Sequence, residues 1–117
     1  MAHVVVYTYT RPNTDIDFTS PSVEQMDWDN ARMASIVDNN IELSYQFGET
    51  GLQLIATHTA PDLESWQNHL RVLLQNDGQA VMTDMRERAE ADGITIEVTV
   101  NGQPVTHSDM LAAVSNL

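Results

Sequence analysis

The sequence predicts a single α+β domain, and three observations carry that expectation. Residues 41–47 and 94–100 alternate apolar and polar side chains, the period of a half-buried strand. Leu63, Trp66, Leu70, Leu73 and Leu74 recur at helical spacing. Asn101-Gly102, placed between β-branched runs, is the strongest short hairpin signal. A chain of 117 residues suits one domain, 1–117, and suffices for one core without staples.

In chain order, residues 3–10 (HVVVYTYT) are β-branched and aromatic and read as a first strand that Arg11-Pro12-Asn13-Thr14 ends. A polar loop with Asp15, Asp17 and Phe18 leads to Ser20-Pro21-Ser22, where Ser caps and Pro tolerates the first turn of a helix near 22–37. Ser22 with Gln25 offers an alternative capping box. Val23, Met26, Met33 and Val37 supply that helix's apolar spacing, and Asp38-Asn39-Asn40 stops it. The second strand, 41–47, turns at Gly48–Gly51 into a third, 52–58. Thr59-Ala60-Pro61-Asp62 starts a second helical region, 62–91, with a break at Asn76-Asp77-Gly78. The fourth strand, 94–100, passes through Asn101-Gly102 into Gln103–Thr106, which Pro104 confines to an edge. Ser108 is a candidate cap for a last short helix, Asp109–Asn116.

Two β-α-β halves of about fifty residues each form the split pattern of ferredoxin-like folds. The expectation is a β-α-β-β-α-β antiparallel sheet over 3–100, both helices on one face, with a C-terminal hairpin strand and short helix appended over 101–117. Ile41, Leu43, Tyr45, Phe47, Leu52, Leu54, Ile94, Ile96, Val98 and Val100 fall on the face that should meet the helices. Of these, Leu43, Tyr45, Leu54, Ile96 and Val98, with Trp66, Leu70 and Leu73, are expected to be largely buried. Glu42, Ser44, Gln46, Gln53, Ile55, Thr57, Thr95, Glu97 and Thr99 fall on the other face, joined by either Val4 and Val6 or Val5, Tyr7 and Tyr9.

Charge excludes several classes of partner. Seventeen acids, ten of them Asp, stand against five arginines and no lysine, for a net charge of −12. Nucleic acid and anionic membrane would repel such a chain. The Asp-rich, Lys-free composition also suits life at high salt. The absence of cysteine removes disulfides, thiolate nucleophiles and Cys-based zinc sites. Met1–Val6 has neither a basic segment nor a long apolar run, so no signal peptide is expected.

Val5–Thr10, the Leu52–Thr59 strand and the helix start from Asp62 to Leu70 with Trp66 resemble the dimeric α/β-barrel superfamily. That group includes antibiotic-biosynthesis and haem-degrading monooxygenases. The resemblance implies two sheets packed face to face across a dimer. The run from Val6 to Asp15, with Gly51-Leu52, also resembles small proteins of marine tailed phages. The haem-degrading branch disperses an Asn, a Trp and a His around its cofactor, whereas Trp66, Asn68 and His69 sit on one short stretch. No residue role is carried over.

No motif assigns a catalytic, cofactor-binding or metal residue, and no cofactor is expected. His3, His58, His69 and His107 lack metal-ligand spacing, although His58 and His69 sit where they could approach in space. Asp15/Asp17, Asp27/Asp29 and Asp38–Glu42 do not reproduce a calcium loop and read as solvated acids. The methionines read as core or interface filler. Trp66 reads as core, and Trp28, flanked by Asp27 and Asp29, as an interface anchor. The candidate interface residues are Tyr7, Tyr9, Trp28, Ile55, Val105, Met110, Leu111 and Val114. The functional expectation is a non-catalytic structural or assembly protein of a virus, placed in the virion or host cytoplasm. It would act through homo-oligomerisation or contact with other protein subunits. The alternative is a small dimeric α/β-barrel enzyme, such as a cofactor-independent monooxygenase, which needs an enclosed apolar pocket between sheet and helices.

Overall fold

The computed structural model describes residues 1–16, 18, 23–75, 78–106 and 108–109. Among them the element order is β1 (His3–Thr10), α1 (Val23–Asp38), β2 (Glu42–Phe47), β3 (Gln53–Ala60), α2 (Leu63–Leu74), α3 (Gly78–Ala91), β4 (Thr95–Val100) and β5 (Gln103–Val105). The strands form one open sheet in the order β2-β3-β1-β4-β5, with every neighbouring pair antiparallel. The described residues thus form an α+β domain with a five-stranded antiparallel sheet and three helices. The Ser20–Ser22 helix start, the Asn76-Asp77 break and the helix proposed for 109–116 lie outside the described residues, apart from Asp109.

Cross-strand register fixes which side chains share a face. Tyr7 pairs with Ala56 and Val98, Tyr9 with Leu54 and Ile96, and Val5 with His58 and Val100. These residues and the Leu43-Tyr45-Phe47 series form one side, and the helices cover it. Val5, Ile36, Ile41, Ala60, Trp66, Leu70, Leu73 and Val98 make the buried cluster, and Tyr7, Trp28, Leu43, Met82, Ile96, Val100 and Val105 pack against it. The other side carries Val4, Val6, Thr8, Ile55, Thr57 and Thr99, so Val4 and Val6 are the strand 1 residues on that face. The expected alternation of β2 and β4 agrees with this register. Burial does not follow along the whole of β2. Tyr45 and Phe47 are 55% and 61% exposed, because β2 is an edge strand with a neighbour on one side only.

Local chemistry explains the boundaries. Asp62 caps α2 by accepting the Ser65 amide at 2.8 Å. α1 and α3 end alike: Asn40 and Gly93 take positive φ (56° and 78°), and the next amide reaches back five residues. Those bonds are Ile41 N–H to the Ile36 carbonyl at 2.9 Å and Ile94 N–H to the Ala89 carbonyl at 2.8 Å. A Cβ on Gly93 would also press Pro12 at 3.2 Å, so position 93 is doubly restricted to glycine. Asn101 holds the β4-β5 turn at φ 50°, and its amide and side-chain oxygen bond both backbone groups of Val4 at 2.8 Å. After β5, Thr106 and Asp109 exchange side-chain-to-amide bonds at 3.0 Å. That reciprocal pattern is a capping box, so Thr106, not Ser108, is the cap there.

α1 corrects the sequence reading. Its inward face is Trp28, Arg32, Ser35 and Ile36, while Met33 and Val37 are 43% and 71% exposed. Val23 and Met26 lie where side chains are not described. The helix is rotated because its polar residues have partners inside. Leu63, counted in the α2 stripe, is likewise exposed at the first turn.

Candidate functional site

A cavity of about 290 Å³ lies between the sheet and the three helices. Tyr7 and Tyr9 of β1, Tyr45 of β2 and Ala56 and His58 of β3 form part of its floor. α1 contributes Trp28, Asp29 and Arg32, α2 contributes Trp66 and His69, and α3 contributes Met82, Met85, Arg86 and Arg88. With Phe18, the lining takes in both tryptophans, all three tyrosines and one of the two phenylalanines of the chain. Arg11 positions the Phe18 wall. Its guanidinium donates to the Gly51 carbonyl at 2.8 Å and the Ile16 carbonyl at 2.8 Å, tying the β1-α1 loop to the β2-β3 turn. The same group lies 4.9 Å over the Phe18 ring.

Trp66 stands between two buried histidines. Its ring centroid is 5.7 Å from His58 and 5.3 Å from His69, and Tyr7 meets His58 edge-on at 5.2 Å. Nδ1 of His69 bonds Ser35 Oγ at 2.9 Å, and Asn39 Nδ2 donates to the same oxygen at 3.1 Å. Nδ1 of His58 is buried with no hydrogen-bond partner among the described residues. Burial pushes the His58 imidazole down to about 4, helped by the Arg32 charge, with the backbone of Val5 and Ala56 acting weakly the other way. Burial, then the His58 and Arg32 charges, push His69 down to about 4 as well. Both rings are therefore neutral at pH 7 and present acceptor nitrogens. Burial also raises the two β1 tyrosines, Tyr9 to about 12 and Tyr7 further, so both remain phenols.

Arg32 is the cation inside this arrangement, with its side chain 21% exposed. Burial works against its charge, but the Tyr45 hydroxyl and Asp29 more than offset that, and its pKa is raised. Nε meets Asp29 Oδ1 at 3.4 Å. Arg86 and Arg88 pair with Glu90 and Asp84 along α3 at 3.1 and 3.0 Å.

The structure redistributes the candidate interface residues. Tyr7 and Tyr9 lie on the helix side and line the cavity. Trp28 is not an outward anchor. Its indole donates to the Leu73 carbonyl at 2.9 Å, satisfying one of the acceptors left at the end of α2. Val105 pairs with Val98 and packs on the core of its own chain. Ile55 is on the other face, and Met110, Leu111, Val114 and His107 lie outside the described residues. Of the four histidines, the structure unites His58 and His69. His3 lies at 6.2 Å from Trp66 on the outer side of the cluster. Sequence reading missed Arg32 and Ser35. Their spacing from Trp28 (28, 32, 35) is a helical stripe and was the available signal.

Among the described residues, no three His, Asp or Glu side chains gather as a metal ion would require. No helix there is long and apolar enough to cross a membrane. Compared with protein-family models, curated proteins and solved structures, the chain matches none.

Proposed function

We propose that this chain is a small-molecule pocket protein: it holds a compact aromatic ligand between sheet and helices, in a lining that includes the neutral imidazoles of His58 and His69. One observation carries the reading. Six of seven aromatic side chains converge on one cavity of about 290 Å³, close to the lower end of the size range for small-molecule sites. The lining favours the second expectation from sequence, a pocket enzyme on a dimeric α/β-barrel type of scaffold, over a purely structural role. With both imidazoles pushed down to about 4, they are too weak as bases to take a proton from a phenol, so binding rather than proton transfer is what the lining supports. The strand order β2-β3-β1-β4 supports a ferredoxin-like arrangement, with β5 as an appended hairpin strand. The test is titration of the ¹⁵N-labelled protein with 2-naphthol. Shifts concentrated at the His58, Trp66 and His69 resonances are the expected result. A saturating titration that leaves those resonances unmoved overturns the reading.

A second reading, self-association, rests on the other sheet face, where Val4, Val6 and Ile55 sit among threonines without a covering layer among the described residues. Light scattering of the full chain and of Ile55→Glu decides it: an oligomer that the substitution turns into a monomer supports this face as the contact, and a monomer in both removes it.

A further inference from the structure

Resting on the pocket reading, we propose that the ligand is an aromatic carboxylate, with Arg32 as its anchor and its ring held among Tyr7, Tyr9, Trp28 and Met82. The first argument is satisfaction of donors. A guanidinium carries five N–H groups in a fixed fork. Among the described residues, the Asp29 carboxylate and the Tyr45 hydroxyl are its polar partners, and neither makes a two-point contact. The Asp29 contact, at 3.4 Å from Nε, lies at the long limit for a hydrogen bond. A cation that is four-fifths covered and lines a cavity keeps donors that a planar carboxylate matches two at a time.

The second argument is charge distribution. Of the three arginines in the lining, Arg86 and Arg88 are tied to Glu90 and Asp84 at 3.1 and 3.0 Å, whereas the Arg32–Asp29 contact is longer, 3.4 Å. The field of a −12 chain works against any anion approaching it, so an anion held here needs a direct cationic partner, and Arg32 is placed to be that partner. The third argument is shape. Tyr7 and Tyr9 stack with an interplanar angle of 13°, forming a flat aromatic wall on the sheet, and Trp28 and Met82 approach from the helices. A flat ring fits that slot, and aromatic and thioether groups both favour contact with it.

The experiment compares two probes of equal shape, 2-naphthoate and 2-naphthamide, by calorimetric titration at constant ionic strength. The expected result is that naphthoate binds at least tenfold more tightly. The paired substitution D29N/R32Q, which removes both charges together, should abolish the preference, so that naphthoate and naphthamide bind alike. Tyr45→Phe, which keeps the guanidinium and frees one of its donors, should retain the naphthoate preference. If D29N/R32Q fails to give the wild-type circular dichroism spectrum, Arg32→Lys, which keeps the charge without the two-point fork, takes its place: a reduced naphthoate preference is expected, and an unchanged one overturns the assignment. Equal affinity of the two probes, or a naphthoate preference that survives in D29N/R32Q, overturns the carboxylate assignment while the pocket reading stands. If neither probe binds the native chain, both proposals fall.

Discussion

Lowering the pH from 7 to 5 should weaken the folded state through His58 and His69. Both imidazoles titrate near 4 in the folded chain, against 6.5 for an exposed ring. The unfolded chain therefore takes up protons first, so stability is highest above pH 6.5, falls as pH drops through that value, and levels off below about 4. At pH 5 each ring costs the folded state about 2 kcal/mol relative to pH 8. The rings repel each other's protonation, so the pair is worth roughly 2–4 kcal/mol out of a total that for a domain is roughly 5–15 kcal/mol. His3, lowered by partial burial, adds in the same direction. Asp62 and Asp109, lowered first by their capping bonds to Ser65 and Thr106, act in another window: their contribution is lost below the ordinary carboxylate range. Urea titrations at pH 7, 6 and 5 measure the loss, and H58Q/H69Q isolates it, since glutamine at 69 retains a polar partner for Ser35. The wild type should lose more stability than the double variant over this interval. Equal losses in the two proteins would show that the imidazoles are not held neutral by burial, and the account of the cavity's electrostatics would be wrong.

Two further outcomes test the packing. Leu70→Ala, at a side chain 4% exposed in the main cluster, should cost about 2–5 kcal/mol in a denaturant titration; a cost under about 0.5 kcal/mol would contradict the burial of α2 on the sheet. Trp28→Phe removes the indole donor from the Leu73 carbonyl and should cost about 1–3 kcal/mol. Its thermal midpoint should fall accordingly, and an unchanged midpoint would mean that this bond does not clamp α1 to α2.

Much of the architecture is legible in the residues themselves. Strand alternation placed Leu43, Leu54, Ile96 and Val98 on one face because a two-residue period leaves no other choice once one side is buried. Asp62, Asn101 and Gly102 marked their cap and turn through side-chain and backbone preferences that act over three residues or fewer. What the tertiary structure alone decided is the rotation of α1 and the site that follows from it. Apolar spacing pointed to Met33 and Val37, but Arg32 and Ser35 face inward, where Tyr45, Asp29, His69 and Asn39 meet their polar groups. A buried polar group is acceptable only beside its partner. Asp29 lies on α1 itself, but Tyr45 and His69 come from β2 and α2, so the 28, 32, 35 spacing could mark a stripe without showing that it would be the buried one. The same holds for His58 and His69, eleven residues apart on different elements, which share one environment only because α2 folds Trp66 and His69 back onto β3.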